Sequence, residues 1–197
     1  MKKLFIVGAS GHGKVVADIA RKNGYTDIIF LDDDISRTEC GKYSVVGKPE
    51  IYSKEKGDLF VAIGNAIIRK KIMDKMGTCV TLVHPNAVIA EDVEIGEGTV
   101  IMAGAVINPG TKIGRGCIIN TCSSVDHDCT IHDFVHVSVG SHICGTVNIE
   151  NETWVGAGAV IKNNLYICSE CMIGAGAVVI HSIMNKCTVV GCPARPI

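Results

Sequence analysis

From Val83 to Val179 the chain places an isoleucine or valine at every sixth position, seventeen times in succession. The position four after each branched residue is usually small or β-branched, as at Ala87, Thr99, Ala105, Thr111, Cys117, Ser123, Ser141, Ala159 and Ala177. A period of six is neither the 2.0 of a strand nor the 3.6 of a helix. It fits a coil with three flat sides, in which one branched side chain per six residues points at a common axis and glycines make the tight corners. Three sixes make one coil of about eighteen residues, so the run spans a little over five coils. The pattern predicts a parallel β-helix broken by no insertion.

The first 78 residues follow another rule. "KLFIVG" (3–8) is an apolar run ending in glycine, as a buried parallel strand does. In "GKVVADIARKNG" the residues Val15, Val16, Ile19 and Ala20 recur at helical spacing, and Gly24 fits a helix stop. "DIIFLDDD" and "DLFVAIGN" read as two more strands, and "AIIRKKIMDKMG" as a second helix. Strand, helix, strand, strand, helix predicts a small Rossmann-like α/β domain over residues 1–78, with the β-helix and a short tail over 79–197.

Charge and composition narrow the function. A net charge of -1 without blocks of like charge gives no footprint for nucleic acid or an anionic membrane surface. The apolar run after Lys2 and Lys3 is too short for a signal-peptide core, and no later stretch reaches the length of a bilayer span, so a cytoplasmic protein is expected. The ten cysteines are then expected as thiols, most of them small packing residues.

Four of the seven histidines fall in "SVDHDCTIHDFVHVSVGSH" (124–142). Counted from the inward residues, His127 lies two places after, His132 one after, and His136 and His142 five after. They occupy different points of the triangular section, so no tetrahedral ligand set is expected and no metal is assigned. "CSEC" (168–171) has no matching second pair, and Cys171 falls at a small packing position. His127 followed by Asp128 is a general base oriented by a carboxylate, or a solvated corner histidine; two letters do not separate these. "GASGHG" (8–13) between strand and helix offers backbone N–H groups to a phosphate, but its glycines are not spaced as in GxGxxG. The aspartates of "LDDD" sit where a ribose hydroxyl or base N–H is accepted, or form a solvated turn.

Together the hexapeptide run, the "GASGHG" domain and "NTCSSVDHDC...FVHVSVGSH" resemble, over nearly the full length, the left-handed β-helix nucleotide-amino-sugar N-acetyltransferases. The UDP-N-acetylbacillosamine N-acetyltransferases are the nearest group, and sialic acid O-acetyltransferases share the layout. The resemblance implies a left-handed coil, acetyl-CoA as co-substrate, a UDP-linked amino-deoxy sugar acetylated at its 4-amino group, and a homotrimer with sites between subunits. It implies His127 as the base taking a proton from the acceptor amine, supported by Asp128 where the commoner residue is glutamate. It further implies contacts to acetyl-CoA from His136, Ala157 and Ala175. The nucleotide sugar would be held by Ser10, Gly11 and His12, by Asp32 and Asp33, and by Gly64, Asn65 and Arg69, whose guanidinium suits a diphosphate. Asn120 would position substrate. Gly145, one coil beyond His127, would offer its N–H to the oxyanion, on spacing and resemblance together. O-acetylation of a sialic-type sugar, a non-catalytic β-helix binding protein, and a γ-type carbonic anhydrase with histidines converging across subunits are the competing readings.

Overall fold

The computed structural model describes residues 2–53 and 56–197. Its first part is a three-stranded parallel sheet in the order β2-β1-β5, from β1 (Lys3–Val7), β2 (Asp27–Leu31) and β5 (Asp58–Val61). Helix α1 (Gly11–Lys22) buries Val16, Ala17, Ile19 and Ala20 against one side of the sheet. Gly13 lets α1 approach closely, because a β-carbon there would collide with the Gly8 carbonyl and the Phe30 ring. The helix ends at Asn23, followed by Gly24 at φ +85°, the left-handed stop that the sequence suggests. Helix α2 (Ala66–Met76) covers the other side, where Met73 joins Phe5, Leu31 and Leu59. Between β2 and β5 lie a two-residue hairpin, β3 (Glu39–Cys40) with β4 (Tyr43–Ser44), and a 3-10 turn (Pro49–Ile51). These pieces are too short to carry a hydrophobic period, and the pattern did not predict them.

From β6 (Leu82–Val83) the chain winds into a β-solenoid of about six turns whose two-residue strands form three parallel sheets. The first face runs from β7 (Val88–Ile89) to β22 (Val178–Val179) and includes β13 (Ser124–Val125) and β16 (His142–Ile143). The second runs from β8 (Glu94–Ile95) to β20 (Tyr166–Ile167) and includes β14 (Thr130–Ile131). The third starts at β6 and includes β15 (His136–Val137), β18 (Trp154–Val155), β21 (Met172–Ile173) and β23 (Thr188–Val190), with antiparallel β24 (Arg195–Pro196) at its end. Ser124 pairs with Val106 below and His142 above, a step of eighteen each way. The last step is shorter: Met172 pairs with Thr188.

The branched residues from Ile101 to Val179 form the axial column, each at most 3% exposed, while Val83, Ile89 and Ile95 at the lower end are only partly covered. Each such side chain contributes about 1.5–3 kcal/mol by burial. Interior hydroxyls are satisfied along the column. Thr99, Thr111 and Thr153 donate to the carbonyls of Gly114, Asp126 and Cys168, and accept the N–H groups of Cys117, Cys129 and Cys171. The corner residue three after each inward one is left-handed from Gly98 to Gly176; at seven of these corners it is not glycine, with φ from 54° to 61°.

The α/β part leans on the lower third face, where Val100, Met102 and Ile118 share one core with Leu4, Ile6 and Leu82. Arg69 of α2 rivets the two together. It is 1% exposed, with Nε donating to the Gly116 carbonyl, Nη2 to that of Phe134, and Nη1 to those of Ile63 and Gly64.

Candidate functional site

His127 and Asp128 form the corner between the first and second faces, just after the buried Val125. Asp128 takes the left-handed conformation, φ 57°, which turns its side chain back along the chain. Its Oδ2 lies 2.8 Å from Nδ1 of His127. The Asp128 N–H donates to the Pro109 carbonyl one coil below, and the Thr146 N–H from one coil above donates to the His127 carbonyl. Both backbone positions are thus fixed by the solenoid. The hydrogen bond from Asp128, and then the charge of Asp126, raise the His127 pKa above its ordinary value of 6.5. Asp126 is a member of the site that sequence reasoning missed. Its Oδ1 accepts the His127 N–H at 2.9 Å and the Asn108 side-chain N–H at 2.7 Å, and these bonds hold its carboxyl below the usual range. Subtracting eighteen from 126 finds Asn108 directly.

With Nδ1 facing a carboxylate, Nε2 is the nitrogen left free to exchange a proton. It lies over Gly145: a β-carbon built on that residue would be 2.5 Å from Nε2. Gly145 is buried under the ring, and among the described residues its N–H donates to no protein acceptor. The side chains of His127 and Asp128 are 58% and 66% exposed, open to an incoming molecule.

His136 lies elsewhere, on β15 of the third face, 8% exposed. Its ring packs on Trp154 with centroids 4.6 Å apart, and Trp154 Nε1 donates to Ser138 Oγ at 2.8 Å. Asn120 fixes the tautomer. Its Oδ1 accepts the Thr121 N–H, so its amino group faces His136 Nε2 at 3.1 Å, and the histidine proton sits on Nδ1. Among the described residues that buried Nδ1 has no partner, nor has Nε2 of His12. Burial, then the charges of Arg69 and His12, lower the His136 pKa to about 3; burial, then Arg69, lower that of His12 to about 4. The amino-terminal loop and the third face therefore place two neutral imidazoles, His12 and His136, in one neighbourhood with Asn120. The sequence pattern treated them as separate candidates. Ala157 and Ala175 stack on the corner between the third and first faces, both exposed, with the Gly176 N–H donating to the Ala157 carbonyl. Asn120 shares that corner, whereas His127, Asp128 and Gly145 occupy the next one around the prism.

At the amino-terminal loop, Ser10 precedes α1 in an extended conformation, its side chain making no cap. The N–H groups of Gly11 and His12 have no protein acceptor among the described residues, and α1 has no acid in its first turn. This is a site suited to an anion. Asp32 faces the loop: Oδ2 accepts the Ala9 N–H at 2.7 Å and Oδ1 the Asp34 N–H at 3.0 Å. Asp33 points away and lines a cleft of about 560 Å3 with Tyr52, Ile68, Lys71 and Lys75. Asn65 caps α2 through the Ile68 N–H, and Gly64 offers open backbone. Arg69 requires correction. Every guanidinium nitrogen is taken by a main-chain carbonyl and the group is sealed from solvent, so it cannot grip a diphosphate.

Among the described residues no three of histidine, cysteine, aspartate and glutamate gather as a metal site, and no helix is long and apolar enough to cross a membrane.

Comparison with known proteins gives a consistent result. Residues 3–76 match the PglD N-terminal domain, and 79–109 match the bacterial transferase hexapeptide (six repeats). UDP-N-acetylbacillosamine N-acetyltransferase of Bacillus subtilis (strain 168) is 37% identical over 113 residues, and the match spans about half of each protein, 52% of both. GDP-perosamine N-acetyltransferase of Escherichia coli O157:H7 is 31% identical over 80% of this chain and 76% of that protein. The acetyltransferase domain of PglB from Neisseria gonorrhoeae FA1090, solved alone and with acetyl coenzyme A, superposes with a TM-score of 0.96 at 38% identity, covering 100% of this chain and 100% and 99% of those chains. The chain belongs to the family of sugar N-acetyltransferases that join a PglD N-terminal domain to a bacterial transferase hexapeptide coil.

Proposed function

We propose that the chain transfers acetyl from acetyl-CoA to the 4-amino group of a UDP-linked amino-deoxy sugar. The observation that carries this is the His127 imidazole, held by Asp128 at Nδ1 with Nε2 over the bare backbone of Gly145. The amine nitrogen attacks the thioester carbonyl while Nε2 takes its proton. The oxyanion receives the Gly145 N–H, and collapse expels the thiolate of CoA, which takes the proton back from the imidazolium. Asp128 stabilises the imidazolium between those events.

Direct attack suits the thiols nearby. Cys129 is buried and burial pushes its pKa up, so it is not a nucleophile that an acetyl-enzyme would need. The nucleotide sugar is placed at the first turn of α1, with Ser10, Gly11 and His12 at the phosphates and Asp32 toward the ribose and base. Asn120 completes that end, and His136, Ala157 and Ala175 line the path of the pantetheine arm. Within one chain the dyad and these groups lie on different corners, which supports a homotrimer whose sites form where two subunits meet. The relatives named for UDP- and GDP-linked sugars leave the base as the point to test. A cytoplasmic location accords with acetyl-CoA as donor.

The test is thiol release from acetyl-CoA across UDP-, GDP- and CMP-linked 4-amino sugars, with His127→Ala beside it. Turnover on the UDP sugar, abolished in the variant with acetyl-CoA binding retained, is the expected result. Near-normal turnover of the variant removes His127 from the chemistry, and sedimentation as a monomer at micromolar concentration removes the intersubunit site.

A further inference from the structure

The catalytic carboxylate has a glycine beneath it that the backbone does not require. Gly110, one coil below Asp128, has φ +74°. Its corner is of the kind that Cys122, Asp128, Phe134, Thr146, Glu152, Asn164 and Glu170 form with side chains at φ 54° to 61°. At the corner glycines Gly140, Gly158 and Gly176 an added β-carbon meets nothing within 4 Å. At Gly110 it would lie 2.5 Å from Oδ1 of Asp128 and 3.4 Å from its Cγ. The Gly110 N–H is meanwhile held by Asp92 Oδ2 at 2.9 Å, so the corner itself does not yield readily. What yields is the free end of the Asp128 side chain.

We propose that Gly110 is a positioning residue for the transfer reaction: its missing side chain is the space in which the Asp128 carboxylate folds back onto His127 Nδ1. The inference rests on the reading of His127 as the base and adds the element that sets its orientation. A glycine eighteen residues before the carboxylate and another, Gly145, eighteen residues after the imidazole leave space in the coils below and above the pair. Asp126, tied down by Asn108 and the His127 N–H, closes its near side. A methyl group at 110 swings the carboxylate away from Nδ1 while leaving the coil wound, so the imidazole loses its orientation and its charge support together.

The experiment uses the whole protein carrying Gly110→Ala, with Gly140→Ala as the matched corner control. The His127 ring is followed by NMR with labelled histidine, assigned by its loss in His127→Asn, and kcat and KM for acetyl-CoA are measured alongside. Gly110→Ala is expected to move the His127 titration down toward about 6.5, the value of an unsupported imidazole. It is also expected to lower kcat roughly 10- to 100-fold with KM for acetyl-CoA unchanged, and to add nothing to Asp128→Asn. Gly140→Ala leaves the His127 titration unmoved. A Gly110→Ala protein whose His127 titrates as in the wild type overturns the inference. If the titration moves and the rate does not, the positioning role stands and the assignment of His127 as base fails. If Gly110→Ala does not fold, the same change in an Asp128→Gly background decides. Recovery of the fold places the conflict at the carboxylate, and continued misfolding makes Gly110 a backbone requirement and overturns the proposal.

Discussion

The His127 ring rests on the α-carbon of Gly145: a β-carbon there would lie 2.5 Å from Nε2 and 2.7 Å from Cε1. Gly145→Ala keeps the backbone N–H but lifts the ring off it. The exposed imidazole can swing aside, so the fold loses little, while the distance from Nε2 to an oxyanion held at residue 145 grows. We expect kcat to fall about 100-fold with the thermal midpoint nearly unmoved, read by thiol release and a melting curve on the same preparation.

The pH dependence has a definite sign. A base works when neutral, and His127 is raised above 6.5 by Asp128 and Asp126, so kcat/KM is expected to climb through an inflection on the alkaline side of 6.5. Asp128→Asn removes the leading cause. The inflection then moves to lower pH while the plateau rate drops, because the imidazolium formed in the transition state has lost its partner. A pH–rate profile whose inflection stays put in Asp128→Asn contradicts the pairing.

Much of this site could be read from the chain because the solenoid turns sequence distance into height. The six-residue period located every inward residue from Ile101 to Val179, and adding eighteen to His127 gave Gly145 before any coordinates. The same arithmetic run downward gives Asn108 and Gly110 from Asp126 and Asp128, although a glycine at a corner is already explained by the turn it makes. Arg69 was misread for a different reason. A cation near a phosphate loop looks like an anion ligand, and nothing local in "AIIRKK" says that the carbonyls of Gly116 and Phe134, two coils' corners far along the chain, close around it. Long-range packing between the α/β part and the coil has no period to betray it. The clustering of His12 with His136 was hidden for the same reason.

Arg69 therefore tests stability rather than affinity. Arg69→Met fills part of the space but leaves four carbonyl contacts unmet, those of Gly116, Phe134, Ile63 and Gly64. Losing a buried charged donor that satisfies several acceptors costs roughly 3–5 kcal/mol. Urea unfolding is expected to show that loss. At a temperature where the variant stays folded, its affinity for the nucleotide sugar is expected within a few-fold of wild type. A large affinity loss in a protein of unchanged stability reverses the assignment.

Acid should loosen the join between the two parts of the molecule. His136 and His12 are held neutral in the fold, with pKa values lowered to about 3 and about 4, whereas in the unfolded chain both titrate near 6.5. Between those limits the unfolded state binds more protons. Their contribution is therefore complete above pH 6.5 and is lost as the pH falls toward the folded values. For His136, dropping from pH 6.5 to 5 corresponds to roughly 1–2 kcal/mol. The urea midpoint of the wild type is expected to fall over this interval, and that of His136→Gln to fall distinctly less, since glutamine can still meet the Asn120 amide but takes up no proton. Equal slopes in the two proteins would mean that His136 is protonated in the fold after all, and that the neutral pair at the loop and third face does not exist.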